Sequence, residues 1–432
     1  MSVYSPDGFK KIMPIINLPG SGRTSFHIPE NRLGEVISPA PAIPAPNPEE
    51  VIRKSLSSPI GGPPLRDLLR PELRVAIIVD DITRETPTRV ILPIVLKELA
   101  QAGVARDDVS LVLALGTHRP MTSDEIERKL GSGPAREYRV VNVSAADDKH
   151  MKFAGHTSRG IPVRINHFVA ETDLRIGIGM ISPHLDVGWG GGAKIILPGV
   201  CGQETVTAFH EKIIEITSNQ LGLADAELRL DLERFVEESV GRLEFIINAV
   251  LTSEGRLFEC VAGHFIKAHR KGVELARNVY GARVTRQYPV VIAGAHPHGI
   301  DIWQATKALA AGEIITSDGG ALILVADCPE RFGPHPLFAD YMAQDPDRLH
   351  RAINENRLED RVAAVEALAI CRMKKRIRLG LVSSGLTHSD ARRMGFSWYN
   401  TVEDALTAEL PSEDGAKAAI LTHGGVTLPV LE

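Results

Sequence analysis

Apolar runs suited to buried strands alternate with amphipathic segments along most of the chain. From Arg74 onward the strand-like runs are residues 74–79, 109–115, 138–143 and 173–181. Helical spacing of apolar residues follows over about 87–102 and again from about Gln203. Because runs that are apolar throughout are typical of parallel strands covered on both faces, this part of the chain predicts a doubly wound α/β sheet.

A second series of the same kind begins near residue 280. A strand-like stretch near 244–251 and a helix near 263–279 close the first series. The second series has a helix over about 301–311 and strand-like runs at 289–294, 321–326, 377–382 and 418–422. We therefore predict two α/β domains, 1–280 and 281–432, with parallel-type sheets flanked by helices. A proline-rich arm over 38–65 should pack on the N-terminal domain.

The composition favours small molecules as partners. The 432 residues are 44% hydrophobic and 24% charged, which allows large cores. A net charge of −5 and 5% aromatic residues offer no basic face and no stacking platform for nucleic acid. The four cysteines form no CxxC pair, so neither a zinc knuckle nor a disulfide framework is indicated. Without a signal core or an apolar run of the ~20 residues that span a bilayer, we expect a cytoplasmic protein. A homodimer is compatible with these features.

The glycine-rich segment after the run at 173–181 holds the most informative residues. His184 follows the predicted end of that strand, Lys194 follows four glycines, and His210 lies two turns into the next helix. Glycines there allow close approach of the backbone to a flat ligand and bring the lysine to it. A phosphate loop is excluded because Ala193 and Ile195 replace the glycine and the Ser or Thr that it needs. For His210 the alternative is a core histidine with satisfied hydrogen bonds.

A polar turn with the pattern DDxTRxTP follows the run at 74–79. Thr86 can cap the next helix and Pro87 can occupy its first turn, where unpaired N–H groups favour an anion. Asp81 could accept hydrogen bonds from ribose hydroxyls, and Thr83 and Arg84 could bind a phosphate or carboxylate. The alternative is ordinary loop and cap chemistry.

A third motif, GTHRP at 116–120, follows the next strand-like run. It precedes a capping-box pattern from Thr122 to Glu125. His118 is therefore expected at the same sheet edge as Asp81 and His184. Two histidines placed there could serve as opposed acid and base.

The second domain has one comparable motif, which follows the run at 289–294. If a helix begins near Asp301, Gln304 and Lys307 share one face and can bind one carboxylate. The alternative is a capped surface helix with a solvated lysine. His296 and His298 could ligate a metal, but a single HxH pair is weak evidence for a metal site.

Together the DDxTRxTP and GTHRP motifs, the spacing of His184, Lys194 and His210, and the aromatic-Gln-x-x-Lys turn resemble the lactate racemase family. That family uses a nickel-pincer nucleotide, a pyridinium mononucleotide that holds nickel through two sulfurs, one carbon and a histidine. The resemblance covers residues 74 to about 326. It implies a cofactor-binding N-terminal domain, a substrate-clamping C-terminal domain, an active site in the cleft between the two domains, and cofactor-synthesis enzymes as partners.

The resemblance also assigns roles to individual residues. Lys194 matches the lysine covalently linked to the cofactor, His210 the nickel ligand, and His118 with His184 the acid/base pair. The remaining matches are cofactor contacts from Asp81, Ile82, Thr83 and Arg84, and substrate contacts from Arg84, Gln304 and Lys307. Trp303 and His298 are expected to border the substrate pocket as well, at positions that depart from the family pattern.

The expected activity is that of an isomerase that inverts C2 of a 2-hydroxy acid by reversible hydride transfer. Trp303 stands where the family's founding member has a tyrosine, and the preceding HPHG segment also differs, so the acid need not be lactate. A dicarboxylic or sugar acid could use His298 as an extra hydrogen-bond partner, and Trp398 is a candidate pocket-closing residue. The alternatives are a metal-dependent hydro-lyase and a non-catalytic nucleotide- or cofactor-binding protein.

Overall fold

The computed structural model describes residues 14–20, 25–216, 220–239, 242–413 and 415–432. Over these residues the strands, in chain order, are β1 (Ile15–Asn17), β2 (Ser25–His27), β3 (Leu33–Ile37), β4 (Val75–Asp80), β5 (Val109–Ala114), β6 (Arg139–Val141), β7 (Met151–His156), β8 (Pro162–Asn166), β9 (Leu174–Met180), β10 (Pro183–His184), β11 (Gly188–Trp189), β12 (Phe245–Leu251), β13 (Leu257–Gly263), β14 (Gly281–Val284), β15 (Tyr288–Gly294), β16 (Thr316–Val325), β17 (Arg378–Val382), β18 (Ser397–Trp398), β19 (Ala418–Leu421) and β20 (Leu428–Leu431).

The α-helices are α1 (Pro48–Ser57), α2 (Leu65–Leu68), α3 (Thr88–Gln101), α4 (Ser123–Leu130), α5 (Ser132–Glu137), α6 (His167–Ala170), α7 (Gln203–Glu211), α8 (Glu227–Glu238), α9 (Lys267–Tyr280), α10 (Ile302–Ala305), α11 (Lys307–Ile315), α12 (Phe338–Met342), α13 (Pro346–Asn354), α14 (Arg361–Arg376), α15 (His388–Met394) and α16 (Val402–Glu409). Short 3-10 helices occur at Glu30–Arg32, Arg106–Asp108, Asp148–His150, Gly192–Ile195 and Lys212–Glu215.

The chain divides into two compact units. The central unit is Pro41–Val279, and the terminal unit combines Tyr280–Glu432 with the chain up to Ala40. Each contains a six-stranded sheet, in the order β13-β12-β9-β4-β5-β6 in the central unit and β18-β17-β16-β15-β19-β3 in the terminal unit. The prediction of two α/β sheets flanked by helices is confirmed.

The central sheet is parallel except at one edge. Strands β12, β9, β4, β5 and β6 run parallel, whereas β13 pairs with β12 in the antiparallel direction. Alternate residues of β4 enter two separate cores: Ile77 packs with helices on one face, and Ile78 packs with Ile195 and Phe209 on the other. Both faces are therefore covered, which is why the strand is apolar throughout.

The terminal sheet is parallel throughout, and its last strand comes from the start of the chain. In β3, Val36 pairs with Ile420 of β19, in the terminal unit. The prediction had placed residues 1–280 in a single domain, but an isolated short strand before the proline-rich arm carries no sign of which sheet it joins. The arm itself packs on the central unit, where the Ala45 amide donates to the Leu257 carbonyl at 2.8 Å.

The predicted strand runs all occur, although β6 is shorter than 138–143 and the predicted helix over 301–311 is divided into α10 and α11. Several elements had no counterpart in the prediction, among them the β7–β8 hairpin and helices α8, α13 and α14. Among the helices of the described residues, none combines the length and apolar character needed to cross a membrane.

Candidate active site

Three motifs meet at one edge of the central sheet. The polar turn follows β4, the GTHRP loop follows β5, and the glycine-rich segment follows β9. These strands are neighbours and parallel. Because carboxyl ends of parallel strands share an edge, the motifs are brought together as predicted, at the place where open α/β sheets bind ligands.

Asp81 binds His118 directly. The distance from Asp81 Oδ2 to His118 Nδ1 is 2.5 Å, and Oδ1 accepts the Thr83 amide at 3.0 Å and the Thr83 hydroxyl at 2.6 Å. Burial raises the pKa of this carboxyl, but the His118 charge, its hydrogen bond and Arg84 outweigh burial and hold the pKa well below its usual range. An ionised Asp81 keeps a proton on Nδ1 of His118, so in the neutral form of the imidazole the lone pair is on Nε2.

The rest of the polar turn is held by a buried lysine that sequence reasoning missed. Lys129 in α4 donates to the Arg84 carbonyl at 2.8 Å and forms a 2.6 Å ion pair with Asp80. Arg84 donates to the Thr83 hydroxyl at 2.8 Å. Ile82 packs, partly buried, against the apolar core. The only sequence sign of Lys129 is its place in the last turn of a capped helix, which is usually a solvent position.

One capping prediction is wrong and another is confirmed. Helix α3 begins at Thr88, Pro87 is its N-cap residue, and no side chain caps it; the Thr86 hydroxyl instead donates to Asp80. The expected capping box at the start of α4 is present, with Thr122 and Glu125 bonded reciprocally. The partly buried Asp80 carboxylate, six residues earlier, thus competes successfully for the Thr86 hydroxyl.

His184 has the opposite hydrogen-bonding pattern to His118. It lies in the short β10–β11 hairpin, and its Nδ1 accepts the backbone amide of Asp186 at 3.3 Å. The buried Asp186 carboxylate lies 3.6 Å from the same nitrogen. An accepting Nδ1 places the proton of a neutral imidazole on Nε2. The central unit therefore holds one histidine with a lone pair on Nε2 and one with a proton there.

The glycines of this segment approach protein atoms rather than an open gap. A Cβ on Gly188, where φ is +72°, would lie 1.8 Å from the Leu223 carbonyl oxygen. One on Gly191 would lie 2.7 Å from the Asn248 side-chain oxygen, and one on Gly192 would lie 2.9 Å from the His269 ring. The prediction of close backbone approach is correct. The groups that approach, however, belong to the protein itself.

Lys194 follows these glycines in the 3-10 helix Gly192–Ile195 and is partly buried. Desolvation is the main cause that lowers the pKa of its amine to about 8, and the positive charge of Arg84 adds to it. A lysine with such a pKa is partly neutral at pH 7 to 8, which is the form of an amine that acts as a nucleophile.

His210 is presented by α7 in a form suited to metal binding. Its Nδ1 lies 2.7 Å from the Val206 carbonyl, which can only accept, so the proton is on Nδ1 and the lone pair is on Nε2. Ligand atoms of Asp186 and His210 lie within 4.8 Å of each other. Imidazole nitrogen with carboxylate oxygen is a donor set that divalent transition metals accept.

The predicted substrate residues of the terminal unit form a second cluster. The Asp301 carboxylate caps α10 by accepting the Gln304 amide at 2.7 Å, as expected for a helix starting there. Lys307 Nζ lies 2.5 Å from the Gln304 side-chain oxygen, although the helix is interrupted at Thr306. The two side chains therefore adjoin, and Gln304 is almost fully buried, unlike a residue of a solvated surface helix.

Trp303 lies in an aromatic cluster that sequence reasoning did not foresee. Its ring centroid is 4.1 Å from that of His335 and 4.9 Å from that of Phe338. His335 in turn lies 2.8 Å from the Asp360 carboxylate. His298 is buried. These contacts fix the orientation of the indole ring beside Gln304.

The remaining residues singled out in this unit lie in other surroundings. The His296 ring packs edge-on against His423 at 5.3 Å. Trp398 lies in β18 and donates its indole N–H to the Asn400 side chain at 3.3 Å.

Known protein families match both parts of the chain. The lactate racemase N-terminal domain matches residues 20–222, and the lactate racemase C-terminal domain matches residues 285–428. The lactate racemase of Lactiplantibacillus plantarum is 30% identical over 317 residues, which are 72% of this chain and 74% of that protein. The lactate racemase of Thermoanaerobacterium thermosaccharolyticum is 26% identical over 420 residues, 95% of this chain and 98% of that one.

Solved structures show the same fold. The lactate racemase apoprotein from T. thermosaccharolyticum superposes with a TM-score of 0.85 at 24% identity, covering 96% of this chain and all (100%) of that one. A protein from Thermotoga maritima superposes with a TM-score of 0.72 at 20% identity, covering 90% and 100%. The chain belongs to the lactate racemase family. It is accordingly a racemase, in the isomerase class of enzymes.

Proposed function

We propose that the protein inverts the C2 centre of a 2-hydroxy acid, with His118 and His184 as the acid/base pair and a nickel-pincer nucleotide as cofactor. The observation that carries the proposal is the opposite hydrogen bonding of the two histidines. Asp81 keeps the proton of His118 on Nδ1, whereas the Asp186 amide donates to Nδ1 of His184. One Nε2 is thus prepared to take up a proton and the other to give one.

The residues present fit the cofactor. Lys194 has an amine whose pKa is lowered to about 8, as a covalent attachment point requires. His210 has its lone pair on Nε2, as a metal ligand requires. Lys194 would hold the nucleotide covalently and His210 would complete the nickel coordination, with Asp81, Ile82, Thr83 and Arg84 as further contacts. When bound, the cofactor supplies a reversible hydride acceptor for the C2 hydrogen.

The protein side chains would move the hydroxyl proton. For one enantiomer, Nε2 of neutral His118 takes the proton from the C2 hydroxyl, which makes that ring an imidazolium. His184 begins the step as the imidazolium, with the Asp186 carboxylate 3.6 Å from its Nδ1, and its Nε2 returns a proton to the oxygen after inversion, which leaves that ring neutral. After one turnover the two imidazoles have exchanged protonation states, which is the starting arrangement for the reverse reaction. Both then re-equilibrate with water. Each histidine therefore acts as base for one enantiomer and as acid for the other.

The substrate carboxylate is assigned to Gln304, Lys307 and Arg84. An amide N–H and a cation side by side suit one carboxylate, and Lys307 and Gln304 already adjoin. Trp303 and His298 are assigned to the C3 substituent. The buried state of His298 suits a polar contact inside a pocket more than a solvated role.

Loading of the cofactor can be tested by mass spectrometry. The protein would be made with and without the cofactor-synthesis enzymes, and intact mass and nickel content would be measured for the wild type and Lys194→Ala. We expect an adduct and nickel only in the wild type made with the synthesis enzymes. Racemisation by adduct-free, nickel-free protein would refute the cofactor assignment, and metal without adduct together with dehydration products would favour a hydro-lyase.

The route of the C2 hydrogen is tested with labelled substrate. Across a panel of 2-hydroxy acids deuterated at C2, the loaded enzyme should retain deuterium at C2 during inversion in ordinary water. A two-base mechanism, in which the histidines remove that hydrogen as a proton, would exchange it with solvent. Exchange at the rate of inversion would contradict hydride transfer even if both histidines proved essential. No turnover of any acid by adduct-loaded protein would point to a cofactor carrier.

A further inference from the structure

A fully buried arginine donates hydrogen bonds to the backbone of the segment between His184 and Lys194. Arg229 in α8 donates to the carbonyl of Val187 at 3.3 Å, to that of Gly191 at 3.0 Å, and to that of Trp189. It has no exposed surface. Three carbonyls on alternate residues of one short segment match the forked donors of a guanidinium, which a lysine ammonium could not reproduce.

Two further side chains tie the intervening backbone. His269 Nε2 lies 2.8 Å from the Gly190 carbonyl, and its Nδ1 lies 3.2 Å from an Arg270 guanidinium nitrogen. Burial, with the charge of Arg229, holds the pKa of His269 well below its usual range, so the ring is neutral and donates from Nε2. Asn248 accepts the Gly192 amide at 2.8 Å. The backbone from 187 to 192 is therefore fixed from α8, β12 and α9.

The charge of Arg229 is balanced inside the same cluster. Glu233, almost fully buried, lies 3.8 Å from Arg229 and accepts two hydrogen bonds from Arg270, at 2.8 and 2.7 Å. Replacing a buried ion pair by apolar groups of similar volume is often neutral or stabilising, so stability alone does not account for this arrangement. What the cluster does provide is a single fixed backbone conformation for residues 187–192.

We propose that Arg229 is a positioning residue, which sets the path of residues 187–191 and so the placement of His184 before them and of Lys194 after them. The functional meaning of this placement rests on the proposed roles of those two residues. The placement itself does not depend on those roles, and it can be measured on protein without cofactor or substrate.

Lys194 reports on the arrangement through its titration. The charged groups acting on it are Arg84 and Asp81 from the turn after β4, Asp186 from the hairpin, and Arg229 from α8. Desolvation and the two arginines lower the pKa of Lys194, whereas the two carboxylates raise it. Releasing the segment would let water reach the amine, and removing the Arg229 charge would remove repulsion. Both effects raise this pKa.

The experiment is competitive acetylation of the cofactor-free protein with acetic anhydride between pH 6 and 11, with Lys194 modification quantified by peptide mass spectrometry. Arg229→Lys keeps the charge but not the fork, and Arg229→Gln removes the charge. Arg270→Lys is the matched control, because Arg270 pairs with Glu233 but donates to no carbonyl of the segment. Amide hydrogen exchange over 187–192 is measured on the same samples.

We expect a wild-type midpoint near pH 8, as the pKa of about 8 requires. The midpoint should be unchanged in Arg270→Lys and should rise by about one pH unit or more in both Arg229 variants. Exchange over 187–192 should rise with it. A folded Arg229→Lys protein with the wild-type midpoint and wild-type exchange would overturn the proposal. If the single variants do not fold, the double variant Arg229→Met with Glu233→Met removes cation and anion together and is judged by the same two measurements.

Discussion

The pairing of Asp81 with His118 makes a quantitative prediction about catalysis. Asp81→Asn keeps the size of the side chain but replaces the carboxylate that lies 2.5 Å from Nδ1 of His118. The new amide can donate to Nδ1, which moves the imidazole proton to Nε2. Because Nε2 is the nitrogen assigned to proton uptake, the variant should hold His118 in the form that cannot act as a base.

The size of the effect follows from the strength of this bond. A hydrogen bond to a charged partner contributes ~1.5–3 kcal/mol, and its loss in the transition state alone lowers kcat by ~10- to 150-fold. Tautomer reversal adds to this, since the corresponding change in a Ser-His-Asp triad lowers kcat by ~10⁴-fold. We therefore expect a fall of ~10²–10⁴-fold in kcat with little change in KM, because the carboxylate contacts His118 rather than the substrate.

The assay is polarimetric racemisation of the accepted substrate by cofactor-loaded protein, with loading verified by intact mass. Asp173→Asn is the matched control, because Asp173 precedes β9 and pairs with Arg74 instead of a histidine. A kcat within about twofold of wild type for loaded Asp81→Asn would refute the dyad, since a general base contributes ~10²-fold or more.

Stability gives a second measurement that needs no cofactor. The pKa of Asp81 is lowered in the folded state, so its contribution to the free energy of unfolding is present above about pH 4, the ordinary pKa of an aspartate, and is lost as the pH falls below that value. The difference between wild type and Asp81→Asn in urea denaturation should shrink correspondingly in acid. A difference that does not depend on pH would mean that the carboxylate is not paired as described.

Other predictions concern residues outside this dyad. Gln304→Ala and Lys307→Ala should each lower kcat/KM by a factor that corresponds to ~1.5–3 kcal/mol of lost transition-state stabilisation, while intact-mass spectra still show the Lys194 adduct. Loss of the adduct would place these residues in the cofactor site. Gly188→Ala should lower the free energy of unfolding in urea by at least ~2 kcal/mol, because the new Cβ lies at a positive φ and also clashes with the Leu223 carbonyl. Gly160→Ala, where φ is +77° and the space is open, should lower it less, because only the backbone strain is added. Equal losses in the two variants would contradict the packing described at Gly188. The hydrogen bond from Arg119 is the main cause that lowers the pKa of Glu125 from 4.5 to about 2. The free energy of unfolding should therefore be ~0.5–1 kcal/mol higher for wild type than for Glu125→Gln above pH 4.5, and this difference should vanish toward pH 2. A difference that persists at pH 2 would exclude this ion pair as its source.

Local signals predicted the parts of the fold that local chemistry decides. The apolar run of β4 is buried on both faces, the Thr122 capping box closes as its spacing requires, and Asp301 caps α10. For the two caps the deciding contacts lie within three residues of one another, so the sequence pattern contains them. For β4 the apolar run itself indicates a strand that is covered on both faces. The common edge reached by the loops after β4, β5 and β9 followed from parallel topology alone.

Contacts between distant segments could not be predicted in this way. Arg229 and Lys129 lie on amphipathic helices, where an isolated cation ordinarily faces solvent, and only the tertiary structure shows that both are buried. The glycines correctly indicated close approach, but the approaching Leu223 carbonyl and Asn248 side chain are 35 and more residues away in sequence. The contact between Asp81 and His118 could not be predicted, because the sequence alone gives no position for the His118 side chain.

The edge strand β3 has a consequence for how the chain folds. Its pairing of Val36 with Ile420 joins residues far apart along the chain, so the terminal sheet cannot be completed until the polypeptide has been synthesised past residue 420. The central unit is continuous from Pro41 to Val279 and can fold earlier as the chain emerges. A fragment starting at residue 281 would leave the edge of β19 unpaired and prone to associate with other strands, whereas one supplied with residues 25–40 as a separate peptide could close its own sheet.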